Sequence, residues 1–126
     1  MILGLGTDIA EIPRIARSME RYGDHFLSRV YTAGEIAYCQ SRPKSAAQSF
    51  AARFAAKEAG AKALGTGISR GISWKELEVV RAPGEAPRLE LHGRAAARAR
   101  ALGVTRISLS LTHSAETALA VVVMEG

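Results

Sequence analysis

Three cations and one carboxylate fall within Arg53-Phe54-Ala55-Ala56-Lys57-Glu58-Ala59-Gly60-Ala61-Lys62-Ala63-Leu64-Gly65-Thr66-Gly67, an alanine-rich run that ends in a glycine turn. On a helix, Glu58 and Lys62 are four residues apart and share a face, while Arg53 and Lys57 form a neighbouring basic pair. One face then offers both a carboxylate for a metal ion and an ammonium for a phosphate, which is the chemistry of a polyanionic ligand. Taken alone, the same residues also describe a solvated helix with a Glu-to-Lys pair and a glycine C-cap. What separates the two readings lies in two other segments, Gly4-x-Gly6-x-Asp8 and Ser110-Leu111-Thr112-His113-Ser114.

These residues need elements to hold them. Residues 2–8 read as a buried first strand, with Ile2, Leu3 and Leu5 among glycines, ending at Asp8. Pro13 opens a helix over 13–22 whose apolar side is Ile12, Ile15, Ala16 and Met19. Arg14, Arg17 and Arg21 follow one another along it as a basic stripe, by itself a solvated face. Thr32 with Glu35 forms a capping box for a helix over 32–41, stopped by Arg42-Pro43-Lys44. Ser45 caps the long helix, 46–64, which would span roughly 28 Å. Residues 73–81 and 87–91 pair as a hairpin across Ala82-Pro83-Gly84-Glu85-Ala86. A helix over 95–102 stops at Gly103. In the strand 105–113, Ile107, Leu109 and Leu111 alternate with Ser108, Ser110 and Thr112, giving one core face and one hydroxyl face. A heavily apolar strand, 117–124, follows.

With 126 residues, 48% of them hydrophobic, the chain suits one core, so a single domain over 1–126 is expected. No apolar stretch approaches the roughly 18 residues of a membrane helix, and the N-terminus has no leader pattern. A cytoplasmic protein follows, with no membrane partner. Cys39 is the only cysteine, which excludes an intrachain disulfide and a multi-cysteine metal site. The net charge of +5 favours an anionic partner. Scattered aromatic residues, 6% of the chain, argue against a nucleic-acid stacking platform.

Read together, Gly-Leu-Gly-Thr-Asp-Ile at the N-terminus, Phe-Ala-Ala-Lys-Glu-Ala with Lys-Ala-Leu-Gly-Thr-Gly in the centre, and Ser-x-Thr-His near the C-terminus resemble the holo-[acyl-carrier-protein] synthases, the short class of 4'-phosphopantetheinyl transferases. The resemblance covers essentially the whole chain, and three separated motifs in order make it specific. It implies an α+β fold with a long helix packed on a mostly antiparallel sheet. It also implies transfer of 4'-phosphopantetheine from coenzyme A, the co-substrate, to a serine of an acyl carrier protein, with release of adenosine 3',5'-bisphosphate.

Such a reaction builds charge on phosphoryl and leaving-group oxygens, and it calls for positioning, fixed positive charge and a divalent cation. The resemblance makes Asp8 and Glu58 the acids for Mg²⁺ and Lys62 the partner of the pyrophosphate. The serine proton goes to Glu58 or to a metal-held water, the latter favoured because metal binding lowers a carboxylate's proton affinity. Arg53, Lys57, Gly65, Thr66, Gly67, Thr112 and His113 fall in the cofactor-binding motifs, with Arg42 and Lys44 expected near the 3'-phosphate. The turn at Gly65-Thr66-Gly67 is expected to point amides outward at phosphate. Thr112 stands where serine is common in the family and keeps the hydroxyl. Arg14, Arg17 and Arg21 acquire a counterpart in an acidic carrier helix. A homotrimer with active sites between subunits is implied as well. Two other readings are a basic, non-catalytic binding module, which leaves Asp8, Glu58 and Lys62 unexplained, and a metal-dependent hydrolase in which water replaces the serine.

Overall fold

The computed structural model describes all 126 residues and orders them as β1 (Ile2–Glu11), α1 (Ile12–Tyr22), α2 (Asp24–Val30), α3 (Ala33–Gln40), α4 (Ala46–Ala63), β2 (Leu77–Val80), β3 (Arg88–Leu91), α5 (Gly93–Leu102), β4 (Arg106–His113) and β5 (Thr117–Glu125), with 3-10 turns at Pro43–Ser45 and Trp74–Glu76. β5 lies between β1 and β4 in an antiparallel three-stranded sheet, and β2 pairs with β3 in a separate antiparallel hairpin. The α+β reading holds. α2 had no forecast, and the strand expected at 73–81 starts only at Leu77, because Ser73 and Glu76 form a capping box that opens a 3-10 turn.

α4 is apolar nearly all round and correspondingly buried, with Phe50, Ala51, Ala55, Ala56, Ala59 and Ala61 fully inaccessible. Its small side chains let β1 come unusually close. A Cβ on Gly4 would collide with the carbonyl oxygen of Ala63, and one on Gly6 with that of Ala59. With the period of two along a strand, Gly4, Gly6, Asp8 and Ala10 share this helix-facing side. β1 does not end at Asp8. It runs on to Glu11, so Asp8 is an interior strand residue opposite Ala120 of β5.

The other side of α4 is held by a buried ion pair. Lys57 and Glu35 are both inaccessible, with Nζ 2.7 Å from Oε1. Lys57 also donates to the carbonyls of Leu77, at 2.7 Å, and Trp74, at 3.2 Å. Glu35 accepts in turn from the Thr32 amide, closing the expected capping box, and from the Val79 amide. One carboxylate therefore joins α3, α4 and β2. Burial lowers the proton affinity of Lys57 and Glu35 opposes that shift.

β5 is apolar on both sides for two reasons. Ala118, Ala120, Val122 and Met124 are buried against α4, whereas Leu119, Val121 and Val123 line the sheet's outer face beside Leu5 and Ile9 of β1. On that face Leu5 and Ile9 are 61% and 62% exposed. Ser108, Ser110 and Thr112 of β4 border it.

The contact at Gly6 yields a direct test. Gly6→Ala, which forces β1 off α4, is expected to destabilise the chain by about 3 kcal/mol, measured as a lower urea midpoint. An unchanged midpoint would mean that the strand and helix are not in this register.

Candidate active site

Asp8, Glu58 and Lys62 meet where β1 crosses α4. They line one cavity of about 450 Å³ with Ile9, Arg14, Phe26 and Phe54. Lys62 reaches across to the strand, with Nζ 3.0 Å from Asp8 Oδ1 and 3.1 Å from the Thr7 carbonyl. It therefore pairs with Asp8 and not with its helical neighbour Glu58, which has no ion pair or hydrogen bond within the chain. Burial, and then repulsion from Asp8, raise the proton affinity of Glu58, with Lys62 pulling it back. Two carboxylates that repel each other, one of them unpartnered, form an oxygen donor set short of positive charge. That set fits Mg²⁺, which binds through one or two carboxylates and otherwise through waters and substrate phosphates.

Arg14 borders this cavity and also, with Arg17 and Arg21, a wide recess of about 800 Å³ along α1. The basic stripe and the acid pair are thus continuous through Arg14, a connection that helical spacing alone does not reveal.

Thr112 and His113 lie elsewhere. They line a cavity of about 410 Å³ with Arg53, Arg81, Gln48 and Ser49, and it shares no residue with the acid cavity. Arg53 is nearly buried, its guanidinium 4.1 Å from the centre of the Tyr38 ring, and its Nε has no partner. Arg42 stacks on the same ring at 4.5 Å. Lys44 is exposed on the turn Pro43–Ser45 and lines none of these cavities. The motif residues thus form two separate half-sites on one chain. Tyr38 and Arg81, which carry no motif signal, belong to the second.

Two expectations need correction. Lys57 does not face a cofactor: all three of its protons are donated inside the core, to Glu35, Trp74 and Leu77. The amides of the glycine turn do not point outward either. Gly65 donates to the Lys62 carbonyl, and Thr66 and Gly67 both donate to that of Ala61, so they satisfy the end of α4. Both glycines have positive φ, 81° and 65°, which explains the pair without any ligand.

The chain's residues 4–122 match the model of the 4'-phosphopantetheinyl transferase superfamily, and the chain belongs to that superfamily. Within it the chain falls among the holo-[acyl-carrier-protein] synthases. It is 53% identical to that enzyme of Koribacter versatilis and 52% identical to that of Solibacter usitatus, in each case over 99% of both chains. The crystal structure of holo-[acyl-carrier-protein] synthase from Neisseria meningitidis is 35% identical, covers 100% of both chains and superimposes with a TM-score of 0.90. That of the Helicobacter pylori enzyme in complex with coenzyme A is 32% identical, with a TM-score of 0.83 over 96% of this chain and 99% of the other.

The environment of Glu58 generates a test. Its folded-state proton affinity lies above the ordinary carboxylate value of 4.5. Between that value and the folded pKa the native state holds more protons than the unfolded state, so stability falls as pH rises through the folded pKa. In metal-free buffer Glu58→Gln is expected to melt at higher temperature than the wild type at pH 7–8, an advantage that disappears as the pH falls below the range of an ordinary glutamate. A lower melting temperature at pH 8 would contradict the assignment.

Proposed function

We propose that this protein transfers 4'-phosphopantetheine from coenzyme A to a serine hydroxyl of apo-acyl carrier protein, with adenosine 3',5'-bisphosphate as the second product and Mg²⁺ required. The observation that carries this reading is the convergence of Asp8, Glu58 and Lys62 on one cavity, within a chain of this family. Asp8 and Glu58 hold the metal ion, which when bound neutralises charge on the pyrophosphate. Lys62, half exposed beside Asp8, meets the pyrophosphate as bound and the phosphate that leaves. The serine proton goes to Glu58 or to a water beside it; a metal ion held by Asp8 and Glu58 would lower the carboxylate's proton affinity and so favour the water. The coenzyme A complex of the Helicobacter pylori relative supports coenzyme A as donor.

The two half-sites support a homotrimer in which each active site is shared. The acids of one subunit face Arg53, Thr112 and His113 of the next, and the outer sheet face around Leu5, Ile9, Leu119, Val121 and Val123 is the apolar surface that subunit contact covers. Gly65, Thr66 and Gly67 act indirectly, by fixing the end of α4 beyond Lys62. Arg14, Arg17 and Arg21 receive the carrier's acidic helix, and Arg14 leads it to the acid cavity. No helix of the chain is long and apolar enough to cross a membrane.

Mass spectrometry of an apo-carrier protein incubated with coenzyme A and Mg²⁺ checks the reaction: the carrier gains the phosphopantetheine mass. Asp8→Asn and Glu58→Gln are each expected to lower kcat on the order of 100-fold or more while the chain stays folded. Full turnover in excess chelator, or by both variants, would overturn the metal assignment. Hydrolysis of coenzyme A with no mass added to the carrier would favour a hydrolase.

Carrier recognition separates from cofactor binding. Arg17→Glu with Arg21→Glu is expected to raise the KM for the carrier about tenfold and to weaken its salt dependence, with the KM for coenzyme A unchanged. Unaltered carrier kinetics would place docking elsewhere.

A further inference from the structure

Beside the second half-site, where Glu78 lines a cavity of about 260 Å³ with Tyr38, Arg53 and Arg81, the β2–β3 hairpin sets two carboxylates directly against each other. Glu78 is the cross-strand partner of Glu90. Like charges in directly opposed positions destabilise a hairpin unless a cation lies between them. Arg88 meets Glu90 Oε1 at 3.5 Å in a solvated contact, and the group on Glu78 Oε1 is the His92 imidazole, a cation only when protonated. Lys57 lies beneath, in the core, with every proton committed.

His92 completes the cluster. It has extended backbone, and its amide donates to the Glu76 carbonyl at 2.8 Å, which carries the strand alternation one step past β3. Glu90 and His92 therefore project from the same side. His92 Nε2 lies 2.9 Å from Glu78 Oε1, and ligand atoms of all three side chains fall within 4.8 Å of one another. The other oxygen of Glu78 accepts from the Thr32 hydroxyl at 2.7 Å, so the N-cap of α3 orients the carboxylate from behind, as outer partners of metal ligands do.

We infer that Glu78, Glu90 and His92 form a binding site for a borderline divalent transition ion of the Zn²⁺ class, distinct from the acids at Asp8 and Glu58. One imidazole nitrogen and two carboxylate oxygens, with water as the fourth ligand, suit Zn²⁺ better than Mg²⁺, which prefers oxygen alone. Tetrahedral coordination at ordinary bond lengths separates ligand atoms by about 3.3 Å. The His92–Glu78 contact of 2.9 Å and the upper limit of 4.8 Å on the other spacings lie either side of that value, so side-chain rotations within the cluster can close the site. A bound ion would relieve the opposed charges and tie β2, β3 and the N-terminus of α3 together at the surface.

The test is calorimetric titration of the metal-stripped, full-length protein with Zn²⁺, repeated in Asp8→Asn to remove any contribution from the acid cavity. Co²⁺ serves as a visible-absorption probe of nitrogen ligation. The expected result is one Zn²⁺ per chain in Asp8→Asn, with affinity lowered about tenfold or more by Glu90→Gln and by His92→Asn added separately, and a Co²⁺ spectrum that changes in His92→Asn. Glu90 is half-buried and His92 exposed, so both variants should keep the wild-type circular dichroism, and Glu90→Gln, which removes one of the opposed charges, should melt no lower than the wild type. Absence of Zn²⁺ binding in Asp8→Asn, or binding that both hairpin substitutions leave unchanged, would overturn the site.

Discussion

The closeness of β1 to α4 is the constraint on which the site depends. Gly4 and Gly6 have no side chain because the carbonyls of Ala63 and Ala59 occupy the space where one would sit. An alanine-rich helix and a glycine-bearing strand together give up much of the side-chain area that usually drives packing, and they gain a short, fixed separation instead. Two residues further along the same side of β1 comes Asp8, and one turn back from Lys62 along α4 comes Glu58. The strand can set Asp8 against Lys62 at 3.0 Å only because its preceding residues have already been drawn onto the helix. The Gly4-x-Gly6-x-Asp8 motif is thus a packing device that ends in the carboxylate proposed to hold the metal ion.

The opposite side of α4 is fixed by charge. Lys57 and Glu35 are removed entirely from water, and such a pair contributes little net stability because desolvation offsets most of its attraction. Its value is in placement: the donors and acceptors of α3, α4 and β2 are all satisfied in one arrangement only, and a shift of any element leaves a buried charge unpaired. The helix that carries Glu58 and Lys62 is thereby held in rotation as well as in depth.

Much of this was legible in the residues. The capping box at Thr32 and Glu35, the long alanine-rich helix, the hairpin and the alternating strand β4 all carry local signals that the structure repeats. What was not legible is non-local. Lys57 and Lys62 look alike in sequence, and only Glu35, brought in by the fold from a separate helix, decides that the first is structural. Asp8 read as a strand end because a polar residue breaks an apolar run, whereas the strand continues past it as far as Glu11. The seven residues of α2 are too few to show a helical period. The second half-site depends on Tyr38 and Arg81, which come from α3 and the hairpin loop and have no spacing in common with Thr112 or His113.

The separation of the two half-sites on one chain leads to the central claim that the active site is completed by a neighbouring subunit. Mixing two inactive variants tests it most directly: Glu58→Gln, which damages the acid half, and the double variant Arg53→Met with His113→Ala, which damages the other. In a ring of subunits re-formed from an equal mixture, some contacts pair an intact acid half with an intact basic half. Activity should return to about a quarter of the wild-type level per chain, although neither variant is active alone. No recovery on re-forming the mixed oligomer, or full activity of the double variant by itself, would contradict the shared site.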